Sequence, residues 1–276
     1  MSNVRLPTYF LSHGGGPWPW MEGDFRRNFD KLESSLVEMR RSLGNRVKAV
    51  LVISGHWEEP GFAISSGERP GMVYDYFGFP DHLYHIKYPA PGSPELARRV
   101  QQLLAGGGIK AELTPCRGFD HGTFSMMKPL YPEADVPIVQ LSINRNLDPK
   151  LHLEVGRLLK PLRDEGVLII GSGLSYHNLR EMRDKSGVVP SRTFDAWLHE
   201  ALKSPPSERI QKLIRWEEAP LARAAHPRED HLIPLMTAVG AAEDEPAETI
   251  YHQDDLMGGI TASSFRFGKL PATADA

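Results

Sequence analysis

Two uninterrupted apolar runs, Ala49-Val50-Leu51-Val52-Ile53 and Val167-Leu168-Ile169-Ile170, constrain this chain more than anything else in it. Neither alternates with polar residues, so neither suits a sheet with one wet face. Each demands a strand covered on both sides, as in parallel sheets. Thr8–Ser12 and Pro137–Ser142 read as two more such strands. Between the strands, apolar residues recur at helical spacing. Phe25, Phe29, Leu32, Leu36, Met39 and Leu43 share one helix face, and Gly44-Asn45 ends that helix. Further helices are expected over Pro94–Ala105, Pro149–Glu165, Arg192–Lys203 and Asp230–Ala241, with late strands near Thr249–Tyr251 and Ser264–Phe267. Strands alternating with helices imply an α/β fold: three layers, α/β/α, around a largely parallel, mixed central sheet. Residues 1–276 read as one catalytic domain, with 272–276 a loose tail.

The chain has 276 residues, enough to bury a large core without staples. Its formal charge of -3 comes from well-mixed acids and bases, which excludes the concentrated basic face of a nucleic-acid binder. Cys116 is the only cysteine, so no internal disulfide forms; Pro115 and Arg117 flank it, and it reads as a buried thiol. The first residues lack the apolar core of a signal peptide, and no apolar run spans a membrane. A cytoplasmic protein, monomer or dimer, is the expectation.

Strand ends carry the chemistry of open α/β sheets, because ligands bind beyond the carboxyl ends of the strands. Three strands here run out into histidine: Phe10-Leu11-Ser12-His13, Ile53-Ser54-Gly55-His56, and Ile170-Gly171-Ser172-Gly173 continuing to His177. His121 is expected in the loop Gly118-Phe119-Asp120-His121-Gly122, and His231 at a helix start behind Asp230. Imidazole suits zinc and iron, and the adjacent glycines let backbones approach closely. A single strand-end histidine is more often a packing residue. Five at matching positions point to one rim and one metal ion. His82, His85, His152, His199, His226 and His252 lack that context and read as surface or packing residues. The stretch from Pro60 to Pro94, with Tyr74, Tyr76, Phe77, Phe79, Tyr84 and Tyr88, reads as a long aromatic insertion walling the site.

Other motifs fall short. Gly14-Gly15-Gly16-Pro17 lacks the Lys-Ser/Thr of a phosphate loop, Gly171-Ser172-Gly173 lacks a third glycine, and no G-x-S-x-G occurs.

Taken in order, Leu11-Ser12-His13-Gly14, Ile53-Ser54-Gly55-His56-Trp57, Asp75-Tyr76-Phe77-Gly78-Phe79-Pro80, Gly118-Phe119-Asp120-His121-Gly122, Met127-Lys128-Pro129-Leu130-Tyr131-Pro132, His177-Asn178-Leu179-Arg180 and His231-Leu232-Ile233-Pro234-Leu235 carry a resemblance. The chain resembles the class III extradiol ring-cleavage dioxygenases of the LigB type, in the branch called 4,5-DOPA dioxygenase extradiol-like. That resemblance implies metal ligands at His13, His56 and His231. It implies a catalytic acid/base at His177, alternatively a fourth ligand, and places His121 facing the substrate. One Fe(II) or Zn(II) per chain, a small catechol and O2 are the implied cofactor and partners. Trp57, Phe119 and Tyr176 would hold the ring. Better-known relatives use two histidines and a glutamate, which leaves Asp230 open as a substitute ligand. Trp18 and Trp20 stand where many relatives carry smaller residues and would narrow the pocket. Two rival readings remain: a zinc hydrolase, since three imidazoles and a water also make a hydrolytic site, and a non-catalytic metal- or partner-binding protein of the same superfamily.

Overall fold

A computed structural model describes residues 5–183 and 185–270; the tail expected at 272–276 lies outside them. Eight strands form one sheet: β1 Thr8–Ser12, β2 Ala49–Glu59, β3 Phe62–Ser65, β4 Ala111–Thr114, β5 Ile138–Asn144, β6 Val167–Gly173, β7 Ala247–Leu256 and β8 Ile260–Phe267. Their order is β4-β3-β5-β2-β6-β1-β8-β7. The middle of the sheet, β5-β2-β6-β1, is parallel throughout. β8 and β7 continue it antiparallel on one side, and β3 joins β5 antiparallel on the other. The sheet is therefore mixed with a parallel heart, and the apolar runs of β2 and β6 lie at its centre, fully buried.

Side chains alternate along β6 and show what covers each face. Gly171 and Gly173 face the segment His231–Pro234, while Ser172 on the opposite face donates from Oγ to the Gly122 carbonyl. Helix Ile233–Gly240 covers one face of β6 and helix His121–Leu130 the other, which makes the three layers. Every residue of Ile233–Gly240 is buried, as a helix sandwiched between the sheet and helix Pro149–Leu159 must be.

Several local expectations need correction. The stripe from Phe25 to Leu43 is two helices, Gly23–Arg27 and Asp30–Leu43. Phe29 leaves helical geometry at the junction, so Phe25 is only half-buried while Leu32, Leu36, Met39 and Leu43 reach the core. The Pro60–Pro94 insertion contains the strand β3, and β4 follows at Ala111; both are four-residue strands too short to show a period. His121 opens a helix instead of lying in a loop, because the Asp120 carboxylate caps it by accepting from Thr123 N at 3.1 Å. The helix expected from Asp230 begins only at Ile233. Cys116 is exposed, not buried. Among the described residues no helix is long and apolar enough to cross a membrane.

Candidate metal centre

β1 ends at Ser12 and delivers His13 at once; Trp18 holds that turn by donating from Nε1 to the His13 carbonyl at 2.9 Å. β2 delivers His56 differently. Its register against β5 slips between Ser54 and Glu58, so Gly55, His56 and Trp57 bulge out where β5 adds no residue. Bulges of this kind re-aim a side chain. β6 ends at Gly173, beside which the His231 backbone lies so close that a Cβ would stand 2.0 Å from the His231 carbonyl oxygen. At Gly55 a Cβ would be 2.9 Å from the Asp230 carbonyl oxygen. Those two glycines let the Asp230-His231 turn drop onto the sheet edge.

Three imidazole nitrogens meet there. His56 Nε2 lies 3.3 Å from His13 Nε2 and 3.0 Å from His231 Nε2. Four ligands around zinc, each about 2.0 Å away, stand about 3.3 Å from one another, so these separations match the edges of a coordination tetrahedron. On two of the three rings, His231 and His56, the far nitrogen is held by a carboxylate. His231 Nδ1 is 2.7 Å from Asp230 Oδ2, and His56 Nδ1 is 3.2 Å from Asp75 Oδ2. A carboxylate that accepts Nδ1–H forces the Nε2 lone pair inward, the usual arrangement behind a metal-bound histidine. Burial holds the imidazoles of His13, His56 and His231 well below the ordinary histidine pKa, and the neighbouring histidines lower them further. All three are neutral donors at pH 7, and the donor set fits a divalent ion.

His177 stands beside this trio. Its ring stacks on His231 with centroids 3.5 Å apart and 19° between planes, and its Nδ1 lies 4.0 Å from Asp230 Oδ2. Burial lowers its pKa, Asp230 raises it in part, and His121 lowers it again. His121 tilts over His56 at 4.0 Å between centroids and shares Asp75 with it, Nδ1 to Oδ1 at 2.8 Å. His56, Asp75, His177 and Asp230 keep 18, 19, 17 and 15% of their side chains exposed, so the cluster reaches solvent along this edge.

All five candidate histidines thus come together. Asp230 sits behind His231, with its Oδ2 on the Nδ1 side of that ring. Asp75 had no place among the candidate residues, yet it orients two histidines; its only signal was its position before Tyr76 in the aromatic stretch. Tyr76, 5.9 Å from His121 and 6.3 Å from Phe124 between centroids, is the insertion residue packed against the cluster. Trp57 is buried between Glu59, to which its Nε1 donates, and the guanidinium of Arg117, 4.7 Å over its ring. Phe119 and Tyr176 are core residues. Trp18 is fully buried against Phe29, and Trp20 packs on Phe124.

The family model described as the catalytic LigB subunit of aromatic ring-opening dioxygenase matches residues 7–268. A protein of Beta vulgaris named 4,5-DOPA dioxygenase extradiol is 42% identical over 94% of this chain and 96% of its own length. One of the same name from Escherichia coli is 33% identical over 97% of each. A crystal structure of an uncharacterized Escherichia coli K12 protein superposes with a TM-score of 0.77 at 30% identity, covering 96% of this chain and 100% of the other.

Proposed function

Because this chain belongs to the LigB family and is an extradiol aromatic ring-cleavage dioxygenase, we propose that it opens a small catechol using one Fe(II) held by His13, His56 and His231. The observation that carries this reading is the convergence of three neutral Nε2 atoms, 3.0 and 3.3 Å apart, with a fourth imidazole stacked alongside. The relatives' printed name points to DOPA-like catechols among the candidates. Three protein ligands would leave positions free on the ion, and bound Fe(II) would supply the redox-active Lewis acid that brings catechol and O2 together.

The chain's own residues do the rest. His177 is neutral at pH 7, so it accepts a catechol hydroxyl proton, and Asp230 nearby steadies the imidazolium until that proton is returned. His121, anchored through Nδ1 to Asp75, keeps Nε2 free to bond a substrate oxygen. Tyr76 and Phe124 wall the aromatic ring and keep water from it. O2 contributes both inserted oxygen atoms and all the oxidising equivalents, so the product is a ring-opened semialdehyde and no external reductant is consumed.

The test is oxygen uptake by anaerobically iron-loaded protein across a catechol panel, with zinc-loaded protein as control. One O2 consumed per catechol with iron, and none with zinc, supports the assignment. Iron bound with no uptake on any catechol overturns it and favours the hydrolytic alternative.

A further inference from the structure

A second group of metal-type donors lies on other elements of the fold. Helix Val188–Lys203 packs against the β7–β8 hairpin. Asp195 and His199 are one turn apart on that helix and so share a face; His252 meets them from β7. His199 Nε2 is 3.3 Å and His252 Nδ1 is 3.4 Å from Asp195 Oδ2, and the three donor atoms all lie within 4.8 Å of one another. Ser263 Oγ on β8 stands 3.1 Å from His199 Nε2 and 3.0 Å from His252 Nδ1.

Protein groups alone leave this cluster incompletely satisfied. Asp195 is 3% exposed, yet its Oδ1 has no hydrogen-bond partner among the described residues, and neither does the buried hydroxyl of Thr261 beside it. A buried carboxylate oxygen without a partner is costly. Asp195, His199, His252 and Thr261 line an open cleft of about 430 Å³ together with Arg192, Ala196 and Asp254. Two carboxylates against one guanidinium leave the cleft acidic.

We propose that Asp195, His199 and His252 bind a second divalent ion of the zinc class, separate from the catalytic metal, with the fourth position filled by Ser263 or water from the cleft. Separations of 3.3 and 3.4 Å again match the edge of about 3.3 Å expected for tetrahedral zinc. The ion ties helix Val188–Lys203 to the hairpin.

Zinc titration of iron-loaded holoenzyme tests this, with iron and zinc both counted by mass spectrometry. Wild type should take up one zinc equivalent without losing iron, and its thermal midpoint should rise. His252→Ala changes a side chain that is 48% exposed, so it should fold normally. It should keep its iron and its ring-cleavage rate but lose both the zinc equivalent and the thermal shift. His199→Ala should behave alike. The site does not exist if wild type binds no zinc beyond exchange with iron, or if His252→Ala and His199→Ala take up the same equivalent.

Discussion

His177 lies flat against His231, ring on ring at 3.5 Å, and both histidines reach toward one carboxylate, Asp230. On the proposed roles the first moves a proton and the second holds the metal through its own Nε2, so loss of the first is read as lost turnover with metal retained. His177→Ala should leave metal content intact and cut ring cleavage by about 10² to 10⁴, the range for a positioned acid/base. Metal analysis beside oxygen uptake on the same preparation decides it; unchanged turnover removes His177 from the mechanism.

Asp230→Ala removes the acceptor on His231 Nδ1 and frees that ring to rotate or change tautomer. Metal affinity should fall about 10- to 100-fold, the usual cost of losing a carboxylate behind a histidine ligand. Competition with a chelator measures it. Asp230→Asn keeps an acceptor and should fall less.

Asp75→Ala should do double damage, because one carboxylate orients both His56 and His121. We expect weaker metal binding and, at saturating metal, a raised KM for catechol as well. A metal effect with an unaltered KM would deny His121 its place at the substrate.

Acid should weaken the fold through two histidines outside the metal centre. Burial pushes the pKa of both His152 and His226 down to about 4. His152 Nδ1 donates to Asp148 O while its Nε2 accepts from Asn144 N, so its neutral form is built into the fold. The unfolded chain binds these protons near the ordinary histidine pKa of about 6.5. Stability is therefore full above about 6.5 and lost as the pH falls toward 4, on the order of 3 kcal/mol per histidine. His152→Gln should be less stable at pH 7 but lose less on acidification, as read from urea unfolding at both ends of that window.

Trp18→Phe keeps the core ring and deletes the bond from Nε1 to the His13 carbonyl. The buried carbonyl left without its donor should cost about 1–3 kcal/mol, measurable by chemical denaturation.

Much of this architecture was legible in the residues because it rests on local rules. The apolar runs of β2 and β6 have one stable environment, a doubly covered sheet, and the glycines after them mark where the backbone must turn or be approached. Histidine at successive strand ends was visible for the same reason. The four-residue strands β3 and β4 were not, since a run that short shows no period and is held by its neighbours. Phe25 matched the helical stripe that Phe29 in fact interrupts, because periodicity records spacing and not the local break.

The sequence by itself determined the parallel heart of the sheet and the edge to which His13, His56, His121, His177 and His231 belong. Only the tertiary structure decided how they stand relative to one another: that Asp75 and Asp230 lie behind His56 and His231, that His177 stacks on His231, and that Asp195, His199 and His252 meet at all. Strand and helix identity follows from interactions a few residues apart. Side chains 175 positions apart, as His56 and His231 are, meet at 3.0 Å only once the layers have packed.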